Sequence, residues 1–172
     1  MHNIAVIGGS TVNKSVCALA ERVGILLAKE GAVVICGGMG GVMECVSRGV
    51  RKNGGVVIGI LPGESPHSGN RYLNYALPTG VGYLRNFLII RASEAVIAID
   101  GSTGTTSEAA FALTEGKSVV FLGEPAEIRR KPTDGRVFHA DTPEEAVRIA
   151  LEEAERIVPV LNEKDRKNNF EH

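Results

Sequence analysis

Glu108 lies in the stretch Asp100–Ala110, DGSTGTTSEAA, where two glycines, a row of hydroxyls and one glutamate stand between an apolar run and an alanine-rich helical pattern. Glycine-freed amides and hydroxyl donors at a helix start are the composition of a site that holds a phosphate, and the glutamate adds a carboxylate beside it. Thr105-Thr106-Ser107-Glu108 also fits a capping box, with Thr105 as N-cap and Glu108 three residues on, worth about 1 kcal/mol and needing no ligand. A cap accounts for Thr105 and Glu108. It leaves Gly101, Ser102, Thr103 and Gly104 unexplained, whereas a bound phosphate uses them, together with Thr105 and Thr106, as permissive backbone and donors.

Arg85 lies on the preceding helix, in GYLRNFLIIRAS. It is either a solvated arginine or a fork of donors that reaches a phosphate or pairs with Glu108. Two earlier glycine-rich pieces are Gly8-Gly9-Ser10 and GGMGG, the latter with Gly37, Gly38, Gly40 and Gly41. The second is a tight turn with close helix packing, an anion cradle at a helix start, or both. Asp100 is a second candidate carboxylate or a loop cap. The dinucleotide fingerprint G-x-G-x-x-G is not met, because strand one ends IGGSTVNK and strand two ends in Cys36 rather than an acid.

Periodicity supplies the elements that must position these residues. Short apolar strands are predicted at Asn3–Ile7, Ala32–Cys36, Val56–Ile60, Leu73–Leu77, Glu94–Ile99, Ser118–Leu122 and Arg136–His139. Helical patterns cover Lys14–Glu30, the stretch from Gly41 to about Asn53, Gly82–Ala92, Thr105–Glu115 and Pro143–Val158. The alternation predicts an α/β fold: a doubly wound, mostly parallel sheet of about six or seven strands with helices on both faces. Ligands bind beyond the carboxyl ends of such strands, and every glycine-rich piece here follows a strand, so all should gather on one rim. Residues 1–161 are expected to form one nucleotide-binding domain, with 162–172 a polar, frayed tail.

Composition narrows the function classes. The 172 residues include 21 glycines, and 19 basic against 20 acidic residues give a net charge of −1. That balance, with no Trp, argues against holding nucleic acid through its phosphates or stacked bases. Cys17, Cys36 and Cys45 make no C-x-x-C pair and are expected to be reduced, as in a cytoplasmic protein. His2, His67, His139 and His172 show no ligand spacing, so no metal site is expected. The N-terminus does not read as a signal peptide, and no apolar run reaches membrane-spanning length.

RNFLIIRASEAVIAIDGSTGTTSE, with GGMGGVMECVSRGV before it, resembles the Lonely Guy family, long mislabelled as lysine decarboxylases. Arg85 precedes Glu108 by 23 positions, as that family's pattern requires, and Gly101, Gly104, Thr105 and Glu108 match its P-G-G-x-G-T-x-x-E motif. Asp100 replaces the motif proline and Ser102 its second glycine, so the chain looks closer to a short branch with proteins similar to molybdenum cofactor carriers. The resemblance covers roughly the first 125 residues. It implies a Rossmann-like fold, a homodimer or higher homo-oligomer, and a small phosphorylated partner. It further implies phosphoribohydrolase action on a nucleoside 5′-monophosphate, with Arg85 and Glu108 catalytic and the glycine-rich turns on the phosphate. The alternative it implies is a non-catalytic carrier, with a nucleotide or molybdopterin-type ligand bound and no other cofactor required.

Overall fold

A computed structural model describes residues 1–100, 103–123 and 128–168, with side chains described through residue 156. Seven strands run β1 (Asn3–Gly8), β2 (Val33–Cys36), β3 (Val56–Leu61), β4 (Tyr75–Pro78), β5 (Ala95–Ile99), β6 (Ser118–Leu122) and β7 (Val137–Ala140). They form one sheet in the order β4-β3-β2-β1-β5-β6-β7, and every pairing is parallel. The helices are α1 (Lys14–Lys29), α2 (Val42–Lys52), α3 (Arg85–Arg91), α4 (Thr103–Thr114) and α5 (Pro143–Asn168), and short 3₁₀ turns lie at Pro66–Ser68 and Gly82–Leu84.

Strand alternation sorts the core into two halves. Ile4 and Val6 of β1 face one side, where they join Val23, Leu27, Val46 and Ala150 from α1, α2 and α5. Ala5 and Ile7 face the other, with Ile89, Ile90, Ala109 and Leu113 from α3 and α4. Both faces are covered, which is why the central strands read as unbroken apolar runs.

Helices α1 and α2 touch backbone to backbone. A Cβ on Gly24 would collide with the Val46 carbonyl, and one on Gly49 with the Glu21 carbonyl. In an exposed helix, Gly→Ala gains up to about 1 kcal/mol of helix propensity. Here the added methyl meets rigid backbone, so Gly49→Ala is expected to destabilise by about 1–3 kcal/mol in urea unfolding.

The same contact corrects the cysteine expectation. Cys17 of α1 and Cys45 of α2 are joined in a disulfide with Cα atoms 5.4 Å apart, although 28 positions separate them in sequence. Only Cys36 is a free thiol, and it is buried. Linear spacing could not reveal the pair, because it depends on which helix faces meet.

The boundaries of two helices also differ. Helix α4 starts at Thr103, so Thr105 is its third residue rather than its N-cap and is 2% exposed. Asp100 adopts φ 55°, a left-handed conformation at the exit of β5. A proline, the residue of the Lonely Guy motif there, cannot take that angle. Helix α5 continues past Pro159 to Asn168, where the sequence places its end at Val158 and a frayed tail beyond Asn162. A proline removes one helical donor without always ending the helix.

Candidate functional site

Strand order reverses between β1 and β5, the point where open parallel sheets leave a crevice beyond their carboxyl ends. The ends of the two strands, Gly8 and Ile99, are paired there. A cleft of about 180 Å³ occupies this crevice. Val6, Ile7 and Gly8 line it from β1, and Gly37 from the end of β2. Arg85 and Asn86 come from α3, and Gly104, Thr105 and Glu108 from α4. Ser10, Met43 and Tyr83 complete the wall.

Gly37 seats the arginine. A Cβ there would lie 2.6 Å from Arg85 Nη2 and 2.6 Å from Met43 Sδ, so the guanidinium rests against bare backbone. Arg85 Nε is buried and has no hydrogen-bond partner among the described residues. Burial pulls the Arg85 pKa below its ordinary value, while Glu108 and then Cys36 act through space to hold it up. Glu108 responds in the opposite sense. Burial raises its carboxyl pKa to about 7, against the attraction of Arg85. The two charges attract without a hydrogen bond or ion pair between them. Behind the cleft, the Cys36 thiol is pushed up by burial and contacts Ser47, as a packing residue does.

The helix start matters to the electrostatics. The first turn of α4 brings the positive end of a 12-residue helix to the cleft through Gly104 and Thr105. The crevice thus combines a desolvated guanidinium, a helix N-terminus and one carboxyl that titrates near neutrality. Such a set can hold an anion and exchange a proton next to it.

The structure brings Gly8, Ser10, Gly37, Gly104 and Thr105 into one cleft with Arg85 and Glu108. Gly9, Gly38, Gly40, Gly41, Thr103 and Thr106 do not line this cleft. Gly41, at φ 65°, packs against the Gly9 and Ser10 backbone, and Val42 N–H donates to the Gly9 carbonyl. Gly38 presses on Leu61, Gly59 and Leu73. These glycines hold the loops together. Gly101 and Ser102 lie outside the described residues. Asp100 is exposed and does not line the cleft. Tyr83 and Asn86 were not among the sequence candidates; their one signal was adjacency to Arg85.

Comparison with known proteins agrees with this architecture. The model of the SLOG cluster4 family matches residues 1–147. An uncharacterized protein of Archaeoglobus fulgidus is 40% identical over 148 residues, 86% of this chain and 93% of that one. The molybdenum cofactor binding protein of Rippkaea orientalis superposes with a TM-score of 0.77 at 31% identity, covering 86% of this chain and 94% of that one. The Moco carrier protein of Chlamydomonas reinhardtii superposes with a TM-score of 0.78 at 25% identity, covering 90% of this chain and 98% of the other.

Proposed function

The chain belongs to the SLOG cluster4 family, and we propose that its cleft between the ends of β1 and β5 binds a small phosphorylated ligand of the molybdopterin type, as a carrier does. The observation that carries this reading is Arg85, a half-buried guanidinium whose buried Nε has no partner among the described residues. A partly desolvated donor without a hydrogen-bond partner is costly, and a phosphate brought against it offsets that cost. Arg85 would take the phosphate with its fork of donors, and the first turn of α4 at Gly104 and Thr105 would face the remaining oxygens. Gly37 would seat the guanidinium, and Gly8 lets the end of β1 pack against Ile99 and Val42. The carrier and binding proteins that share the fold indicate the ligand class.

Phosphoribohydrolase action of the Lonely Guy type is the second reading, favoured by Glu108. A carboxyl poised near pH 7 beside a phosphate site suits proton transfer at a glycosidic bond, with Arg85 orienting it. It would work with one carboxylate where glycosidases ordinarily use two.

Calorimetry with a phosphopterin and with nucleoside monophosphates, followed by an assay for free base, separates the two. A carrier binds without releasing base, and Glu108→Ala keeps its affinity within about threefold, under 1 kcal/mol. Base release that Glu108→Ala abolishes would establish the hydrolase instead. A protein that binds neither class would exclude both.

A second copy of the chain is the protein partner we propose. Leu77, Val81, Leu84, Phe87 and Leu88 are each more than 40% exposed and lie on β4, the segment after it and α3. Clustered exposed apolar side chains of this kind mark contact surfaces. Sedimentation equilibrium that finds only monomer at micromolar concentration would exclude this.

A further inference from the structure

The cleft can enclose only part of the ligand proposed for it. At about 180 Å³ it falls below the roughly 300 Å³ at which pockets for whole cofactors begin. With the phosphate at Arg85, the rest of the molecule must lie toward the mouth, where Tyr83 stands 92% exposed while still lining the cleft.

Tyr83 is exposed, yet its backbone is fixed. Thr79 N–H donates to the Leu61 carbonyl, Gly80 N–H to Gly63 and Gly82 N–H to Pro62. The 3₁₀ turn Gly82–Leu84 is therefore tied to the exit of β3. Gly80 and Gly82 adopt φ 67° and 59°, and nothing lies within 4 Å of a Cβ built on Gly82, so backbone path alone calls for glycine there. Three residues on, Asn86 lines the same cleft, and its side-chain amide has no partner among the described residues. An amide offers one donor and one acceptor side by side.

We propose that Tyr83 and Asn86 form a recognition subsite for a planar nitrogen heterocycle, which stacks on the Tyr83 ring and pairs an adjacent donor and acceptor with the Asn86 amide. Purines and pterins both present such a face and edge. The proposal rests on the phosphate reading above and adds the element that selects what the phosphate carries. Aromatic stacking of a base is sequence-tolerant, so Tyr83 supplies affinity and Asn86 supplies choice.

The test is calorimetry of wild type, Tyr83→Ala, Tyr83→Phe and Asn86→Ala against four probes: adenosine 5′-monophosphate, guanosine 5′-monophosphate, 6-hydroxymethylpterin phosphate and ribose 5-phosphate. Tyr83→Ala is expected to weaken the preferred ring-bearing probe by about tenfold or more and to leave ribose 5-phosphate within about twofold. Tyr83→Phe restores the affinity. Asn86→Ala narrows the spread among the three ring-bearing probes, and the tightest of them in wild type tells purine from pterin. Equal weakening of all four probes by Tyr83→Ala would overturn the proposal. So would unchanged affinities, a changed sedimentation coefficient as the sole effect, or wild type that binds no ring-bearing probe more tightly than ribose 5-phosphate. Loss of ribose 5-phosphate binding in wild type would instead count against the phosphate reading.

Discussion

Glu108→Gln is expected to remove a slope from the stability–pH curve between about pH 4.5 and 7. In the unfolded chain this carboxyl ionises near 4.5, while in the fold burial holds its proton until about 7, with Arg85 pulling the other way. The native state therefore binds more protons across that window. Stability is greatest below pH 4.5, falls as pH rises and levels off above 7. A gap of this size corresponds to on the order of 2–3 kcal/mol once partial solvent screening is allowed for. Glutamine mimics the protonated acid and has no such loss. Urea unfolding should thus find the variant similar to wild type at pH 4 and more stable by that amount at pH 8. Parallel curves for the two proteins would mean that Glu108 is not desolvated. Linkage extends to binding: a phosphate anion raises the carboxyl pKa further, so binding takes up a proton at Glu108, and the variant lacks that uptake.

Arg85→Ala is expected to cost about a hundredfold in affinity for any phosphorylated ligand. Truncating one side of a buried charge pair costs roughly 2–5 kcal/mol, and here the guanidinium is the cleft's only described cation. Folding stability should change far less, because the side chain removed is desolvated and its Nε unpaired. Arg85→Lys should not restore affinity, since an ammonium lacks the planar fork. Gly37→Ala probes the same seat from below. The added methyl meets the ends of two flexible side chains, Arg85 and Met43, so the protein folds and the guanidinium gives way. Phosphate affinity should then drop while the urea midpoint holds. Wild-type affinity in Gly37→Ala would show that the position of Arg85 against β2 does not matter.

The sheet was legible because its strands are short apolar runs separated by helical patterns, and parallel connection forces their carboxyl ends to one side. That rule alone brought Arg85 and Glu108 to the same crevice from helices after different strands. What was not legible depends on which surfaces meet in space. The Cys17–Cys45 pair and the tight contacts at Gly24 and Gly49 follow from the mutual orientation of α1 and α2. Gly37 read as part of an anion cradle, but its open space is filled by Arg85. Thr105 read as a cap because Thr-x-x-Glu fits one, but the helix already starts at Thr103. Tyr83 lies outside the family motifs, Asn86 stood in one only as the neighbour of Arg85, and the cleft gives both of them meaning.

Backbone amide shifts during a titration with ribose 5-phosphate report directly on where the phosphoryl group sits. The amides of Gly8, Gly37, Gly104 and Thr105 should move together with a single affinity, and Arg85→Ala should abolish the movement. Shifts confined to the groove between α1 and α5, around Leu26 and Leu151, or shifts that persist in Arg85→Ala, would place the anion elsewhere and contradict the assignment.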